Sequence, residues 1–283
     1  RVADNEYLDN RFNQDDLRML VAIAELTGVA IDNLNSINRL VGAERMAAWG
    51  ELSAKSSHMI GNRVFALRGD VNELEYQIGR EPIDVAELKS LQKGLETNVT
   101  RIQELLQDFR DFVSATQLNR SVSDLNALVR ETLDEVFPKR GGVTLELDLA
   151  DDLPPVAFDA KKLRLALSEL VENSFNFFDS GTLKVTTRKA STAAARRAQV
   201  GAAQRFVEIS VADSGPGVPA DLKDQIFQPF FSTRVKGMGL GLSIVRGIAE
   251  AHGGAAIEMG ESGSGAIFAI LLPISERQKT EGA

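Results

Sequence analysis

Two stretches of this chain carry apolar residues at alternating four- and three-residue steps, and neither can bury them alone. In the first, Ile60, Val64, Leu67, Val71, Leu74 and Ile78 keep a heptad spacing, which predicts a helix from about 43 to 78. The second carries Leu88, Leu91, Leu95, Ile102, Leu105, Phe109 and Phe112 in the same rhythm. Gly79 and Pro82 stop the first helix, and Asp84-Val-Ala-Glu87 has the form of a capping box for the next. Two helices joined by so short a turn form an antiparallel hairpin. Each has a single apolar face, so pairing two hairpins into a four-helix bundle buries what one leaves wet. A homodimer is therefore expected.

Upstream, Leu20, Ala24, Thr27, Ile31, Leu34 and Val41 continue from Leu17 as a heptad seam, interrupted by Asn38. An amphipathic helix packed on its own domain would have the same spacing. The 283 residues leave ample length for a core, and 43% hydrophobic with 25% charged is an ordinary globular balance. A net charge of −8 argues against nonspecific nucleic-acid binding. With no cysteine and two histidines, disulfides, thiolate metal sites and an all-histidine metal centre are excluded. No apolar run of membrane-spanning length and no signal peptide pattern is present, so a cytoplasmic location without direct membrane insertion is expected. A start at Arg1 rather than Met suggests a fragment with an upstream portion.

Beyond a polar joint at 117–123, Ser123-Asp124 opens a helix to about Phe137, and Val143 to Leu149 alternates like a strand. Leu153-Pro-Pro-Val156 leads to Asp159, a cap for a further helix. Leu183 to Arg188 and Phe206 to Ala212 read as strands, separated by an alanine-rich stretch, Ala190 to Gln204, expected to be a mobile surface insertion. A helix from Ile244 to His252 and a hairpin of Ala256 to Met259 with Ala266 to Leu272 complete the order. The irregular alternation gives an α/β sandwich, helices on one face of a mixed sheet, and an α+β chain overall. His252, ahead of Gly253-Gly254, reads as structural.

Gly237-Met-Gly239-Leu-Gly241-Leu-Ser-Ile-Val245 runs three alternate glycines into a helix start. Glycines allow a ligand close to the backbone, and the free amides and dipole of a helix start suit a phosphate chain. Alone this is also a helix-packing turn. It follows, in order, Glu169-Leu-Val-Glu-Asn173, Asp213-Ser-Gly215-Pro-Gly217 and Phe227-Gln-Pro-Phe230-Phe231. No Gly-x-x-x-x-Gly-Lys-[Ser/Thr] loop is present. Together the four blocks resemble the ATP-binding domain of sensor histidine kinases, of the GHKL ATPase superfamily, from about Val122 to Pro273. Gly42 to Thr116 resembles the dimerisation and phosphoacceptor hairpin of the same family, and Glu51-Leu-Ser-Ala-Lys-Ser-Ser-His58-Met-Ile-Gly-Asn62 its histidine box. At about 100° per residue His58 and Asn62 share the helix face opposite the Ile60 stripe, open to solvent. Phe12-Asn-Gln-Asp-Asp-Leu17 with the helix after it looks like the end of a GAF-type sensor domain.

The resemblance implies an order of parts: 1–41, the end of a sensor domain and a signalling helix; 42–116, the hairpin; 117–123, a linker; 124–275, the ATP-binding domain; 276–283, a tail. It implies autophosphorylation of His58 from ATP and Mg2+, then transfer to an aspartate of a response regulator. Asn62 would position water for the reverse, phosphatase reaction. Asn173 would hold the magnesium, with Glu169 in its second shell or acting as a base. Asp213 would accept a hydrogen bond from the adenine amino group while Gly215 and Gly217 pass close to the ring. The Phe227 to Phe231 block, with Phe230, would be the hinge before a short lid, Ser232 to Lys236, in which Arg234 or Lys236 is a clamp for the β- or γ-phosphate or a solvated lid residue. Gly237, Gly239, Leu240, Gly241 and Leu242 would line the phosphates. Four departures stand out: Met59 follows the histidine where an acid is usual, Arg63 replaces a common proline, Asn176 stands where lysine is frequent near the phosphates, and Ala266 where threonine often supports the adenine. They leave two alternatives to the kinase, a nucleotide-binding pseudokinase scaffold and a GHKL ATPase, with transfer in cis or trans left open.

Overall fold

The computed structural model describes residues 18, 19, 21–23, 25, 60–80, 84–137, 142–198, 200, 205–234 and 238–274. The chain divides into two compact units, Arg1–Met59 and Ile60–Ala283. In the first, the described positions between 18 and 25 are helical and exposed. The rest of the seam expected there, and the Phe12 to Leu17 block, lie outside the described residues.

The second unit opens with helix α1, described over 60–78, and α2, Val85–Ser114. Asp84 starts α2 by accepting from the amides of Ala86 and Glu87, at 2.9 and 3.2 Å. The two helices are registered by Asn98 Nδ2, which donates to Asp70 Oδ2 at 3.1 Å. Antiparallel helices rise equally per residue, so ten residues past Asn98 and ten before Asp70 come level: Asp108 lies at the height of Ile60. The hairpin has little core of its own. No residue of α2 is buried, and on the α1 stripe Val64, Val71 and Ile78 stay 51, 42 and 58% exposed.

The remainder is a two-layer α/β module. Its main sheet has the order β2-β4-β5-β7-β6: β2 (Val143–Leu149), β4 (Gly181–Lys189), β5 (Phe206–Asp213), β7 (Ile267–Pro273) and β6 (Ala255–Glu258). The β2–β4 pair is parallel and the others antiparallel. Helices α3 (Leu125–Val136), α4 (Ala160–Phe175) and α6 (Gly241–Ala251) cover one face. Leu163, Ala166, Leu167, Leu170 and Val171 give α4 a dry stripe at helical spacing, no more than 1% exposed, against Val207, Ile209 and Val211 of β5 and Leu183 and Val185 of β4, all 0%. Each large side chain so buried stabilises the module by about 1.5–3 kcal/mol. On the opposite face Arg188 pairs across the strands with Glu208, at 2.6 Å.

Two local expectations need correction. The joint expected at 117–123 is not all loop: Ser121–Ser123 is strand β1, antiparallel to β3, Val156–Phe158. The insertion after β4 is not simply a mobile excursion either, since Thr192–Arg197 forms helix α5, capped by Ser191 and anchored by Ala194 at 4% exposure.

Candidate functional site

One cavity of about 860 Å3 opens beside the C-terminal half of α4, the start of α6 and the loops after β5. Its floor is set by Asp213, 8% exposed at the end of β5. Asp213 Oδ1 accepts from the amides of Gly215 and Ala266, at 2.9 and 3.1 Å, and Oδ2 accepts from the Ser174 hydroxyl at 3.1 Å. Two backbone donors lock Oδ1 and the Ser174 hydroxyl holds Oδ2, so the carboxylate is fixed at the edge of a cavity also lined by Gly217, Ile226, Met238 and Ala266. That is an apolar slot with one fixed acceptor, suited to a flat heteroaromatic ring bearing an exocyclic amine.

The glycine run is shaped by contact with the Phe230–Phe231 backbone. Phe230 takes a positive φ of 65°, and its amide donates to the Gly239 carbonyl at 2.8 Å. Gly239 itself has φ 72°, and a Cβ there would lie 2.5 Å from the Phe231 carbonyl oxygen, so only glycine fits. The chain then enters α6 with no side-chain cap on Leu240, leaving first-turn amides for a ligand beside Leu240, Gly241 and Leu242 on the cavity wall. The Glu169 carboxylate lies against Gly241, 2.3 Å from where a Cβ would stand, so a side chain there would push the carboxylate aside.

Glu169, Asn173 and Asn176 bring α4 into the same wall, Asn176 being the residue that caps its C-terminus. Glu104 and Asp108 of α2 also line the cavity. Burial first, then the charges of Glu172, Asp108 and Asp111, push the Glu169 carboxyl up to about 7. Burial, then Asp111, Glu104 and Glu172, push Asp108 to about 6. Among the described lining residues the cation is Arg234, which is exposed. A cavity so rich in carboxylates would oppose a bare polyphosphate and favour one that arrives with a divalent cation.

Of the residues singled out by sequence, Glu169, Asn173, Asn176, Asp213, Gly217, Arg234, Gly239, Leu240, Gly241 and Leu242 meet in this cavity. Gly215 and Phe230 stand behind it, shaping Asp213 and Gly239. Asn62 is exposed on α1 and does not line it. His58, Met59, Lys236 and Gly237 lie outside the described residues. Sequence reasoning missed Glu104 and Asp108; their four-residue spacing on one face of α2, with Asp111 beyond, was the available signal.

Residues 158–276 match the family described as histidine kinase-, DNA gyrase B-, and HSP90-like ATPase. Sensor histidine kinase ZraS of Escherichia coli K12 is 29% identical over 239 residues, 83% of this chain and 48% of its own length. Signal transduction histidine-protein kinase AtoS of the same strain is 33% identical over 242 residues, 84% of this chain and 37% of its own. The chain thus spans less than half the length of either relative. Among solved structures, histidine kinase ThkA in complex with response regulator protein TrrA shares the fold, with a TM-score of 0.63 at 24% identity, covering 83% of this chain and 65% of that one.

Proposed function

We propose that this chain is a sensor histidine kinase, its 158–276 region matching the histidine kinase-type ATPase family, and that it binds ATP in the cavity beside Asp213 and phosphorylates its own His58. One observation carries the reading: a single cavity gathers Asp213, Asn173 and the glycine run, the residues that the family resemblance assigns to the base, the metal and the phosphates. Asp213 holds the base, the first turn of α6 holds the phosphates, and Arg234 offsets charge at the lid. Asn173 and the neighbouring carboxylates are hard oxygen donors that fit Mg2+, which when bound would neutralise the triphosphate. Glu169, one turn away, would stand in the ion's second shell or act as a base. The imidazole nitrogen forms the bond to the γ-phosphorus as the bridging P–O bond breaks and ADP leaves.

The same reading assigns 42–116 as the dimerisation and phosphoacceptor hairpin, 124–275 as the ATP-binding domain, and a homodimer as the working form. The wet stripe at Val64, Val71 and Ile78 supports that last assignment. The phosphoryl group would pass to an aspartate of a response regulator, and Asn62, exposed on α1, would serve the reverse reaction on that partner. Among the described residues no helix is long and apolar enough to cross a membrane.

Incubation with γ-labelled ATP and Mg2+ tests this. Acid-labile, base-stable label is expected on the parent, absent from His58→Gln and from Asn173→Asp. Bound nucleotide without label would instead favour a pseudokinase scaffold, and free phosphate released independently of His58 an ATPase.

A further inference from the structure

The segment leaving α2 for the ATPase domain is tied down along its length. Ser114 Oγ, at the end of α2, accepts from Lys162 Nζ of α4 at 2.7 Å. Ala115, 2% exposed, packs where Gly247 of α6 has no side chain, 3.5 Å from its ideal Cβ position. The Asn119 amide donates to Asp159 Oδ2 at 2.7 Å, and the Arg120 guanidinium donates to the Ala251 carbonyl at the end of α6.

The Asn119 tie ends on Asp159, which is itself bonded to His252. Asp159 caps α4 with Oδ1, accepting from the Lys162 amide at 3.1 Å, while its own amide donates to His252 Nε2 at 2.9 Å. His252 is 1% exposed, and its Nδ1 lies 2.7 Å from the Ile248 carbonyl. A carbonyl only accepts, so Nδ1 carries the proton and Nε2 is a bare acceptor. Burial holds the ring below the ordinary imidazole range, in keeping with a neutral, doubly bonded histidine.

We propose that Asp159 and His252, with Asn119, Arg120 and Lys162, form a clasp that fixes the angle between hairpin and ATPase domain, and so positions bound nucleotide for transfer. The inference rests on the kinase reading above. The clasp grips the ends of α4 and α6 remote from the cavity: α4 starts at Asp159 and reaches Asn173, and α6 ends at His252 and starts at Gly241. Fourteen residues of α4 make a lever of about 20 Å, so a tilt of about 10° at the clasp moves the cavity by about 3–4 Å along α2. In-line transfer does not tolerate that displacement. None of the clasp residues lines the cavity, so nucleotide affinity is independent of them.

The absence of cysteine allows clean spin labelling, with Lys93→Cys on α2 and Asp224→Cys on the ATPase domain, in full chain diluted with unlabelled chain. Asn119→Pro with Arg120→Ala removes an amide donor and a guanidinium from the joint without touching the core. The expected outcome is a broadened distance distribution, a transfer rate to His58 lowered about tenfold or more, and ATP affinity within about twofold of the parent. In the core, His252→Gln, which restores an acceptor near Nε2, should transfer faster than His252→Leu. An unchanged narrow distribution, or a rate loss that follows nucleotide affinity, overturns the clasp. Should the parent take no label, the kinase reading fails while the distance measurement still decides whether the clasp exists.

Discussion

Gly239 shows how narrowly the cavity is specified. A methyl group there must displace the Phe230–Phe231 backbone and hold φ at 72°. Gly239→Ala should therefore cost about 1–3 kcal/mol and weaken nucleotide binding, measurable by thermal unfolding and by nucleotide titration calorimetry. Glu169 makes a different kind of prediction. Its folded pKa of about 7 stands above the reference of 4.5, so the folded state holds the extra proton between those values. Stability then falls as pH rises through that window, and the penalty is complete above about 7. Glu169→Gln mimics the protonated acid, so without nucleotide it should match the parent near pH 4.5 and exceed it by a few kcal/mol at pH 8, as pH-dependent calorimetry would record. The identity of Asp213 was legible in its Asp-Ser-Gly-Pro-Gly block. Its partners were not, because Ser174 and Ala266 reach it from 39 and 53 residues away.

Helices and strands with a strong period were legible almost to the residue. Val143–Leu149 forms the expected strand, though its burial alternation lapses at Leu147, 40% exposed, and α4 and α6 follow their caps and glycines. β1 escaped because its three residues are all exposed, leaving no burial pattern to read, and β3 because three residues cannot establish a period. α5 escaped because alanine supplies helix propensity without a stripe. The hairpin was legible as a pair of stripes, but the stripes of one chain remain half wet. Val71→Glu should accordingly weaken self-association by at least about tenfold, seen in sedimentation equilibrium, while the ATPase domain unfolds at its usual temperature; an apolar side chain of this size is worth about 1.5–3 kcal/mol when buried.

Carboxylates from two regions distant in sequence, Glu104, Asp108 and Asp111 on α2 with Glu169 and Glu172 on α4, are held near one another in a chain of net charge −8. The spacing of Glu104 and Asp108 on one face of α2 is local, but what that face meets follows from tertiary packing. Like charges relax when screened, so raising salt from about 0.03 to about 0.3 M should increase the melting temperature, and Asp108→Asn should flatten the response in scanning calorimetry. A fall in melting temperature with salt would contradict the arrangement. Because α2 lends Glu104 and Asp108 to the nucleotide wall, the pocket exists in full only when the stem is attached. An inhibitor carrying an amine aimed at Asp108 should bind the intact chain and lose potency against an excised 124–275 fragment, so compound screens run on that fragment would overlook the most selective scaffolds.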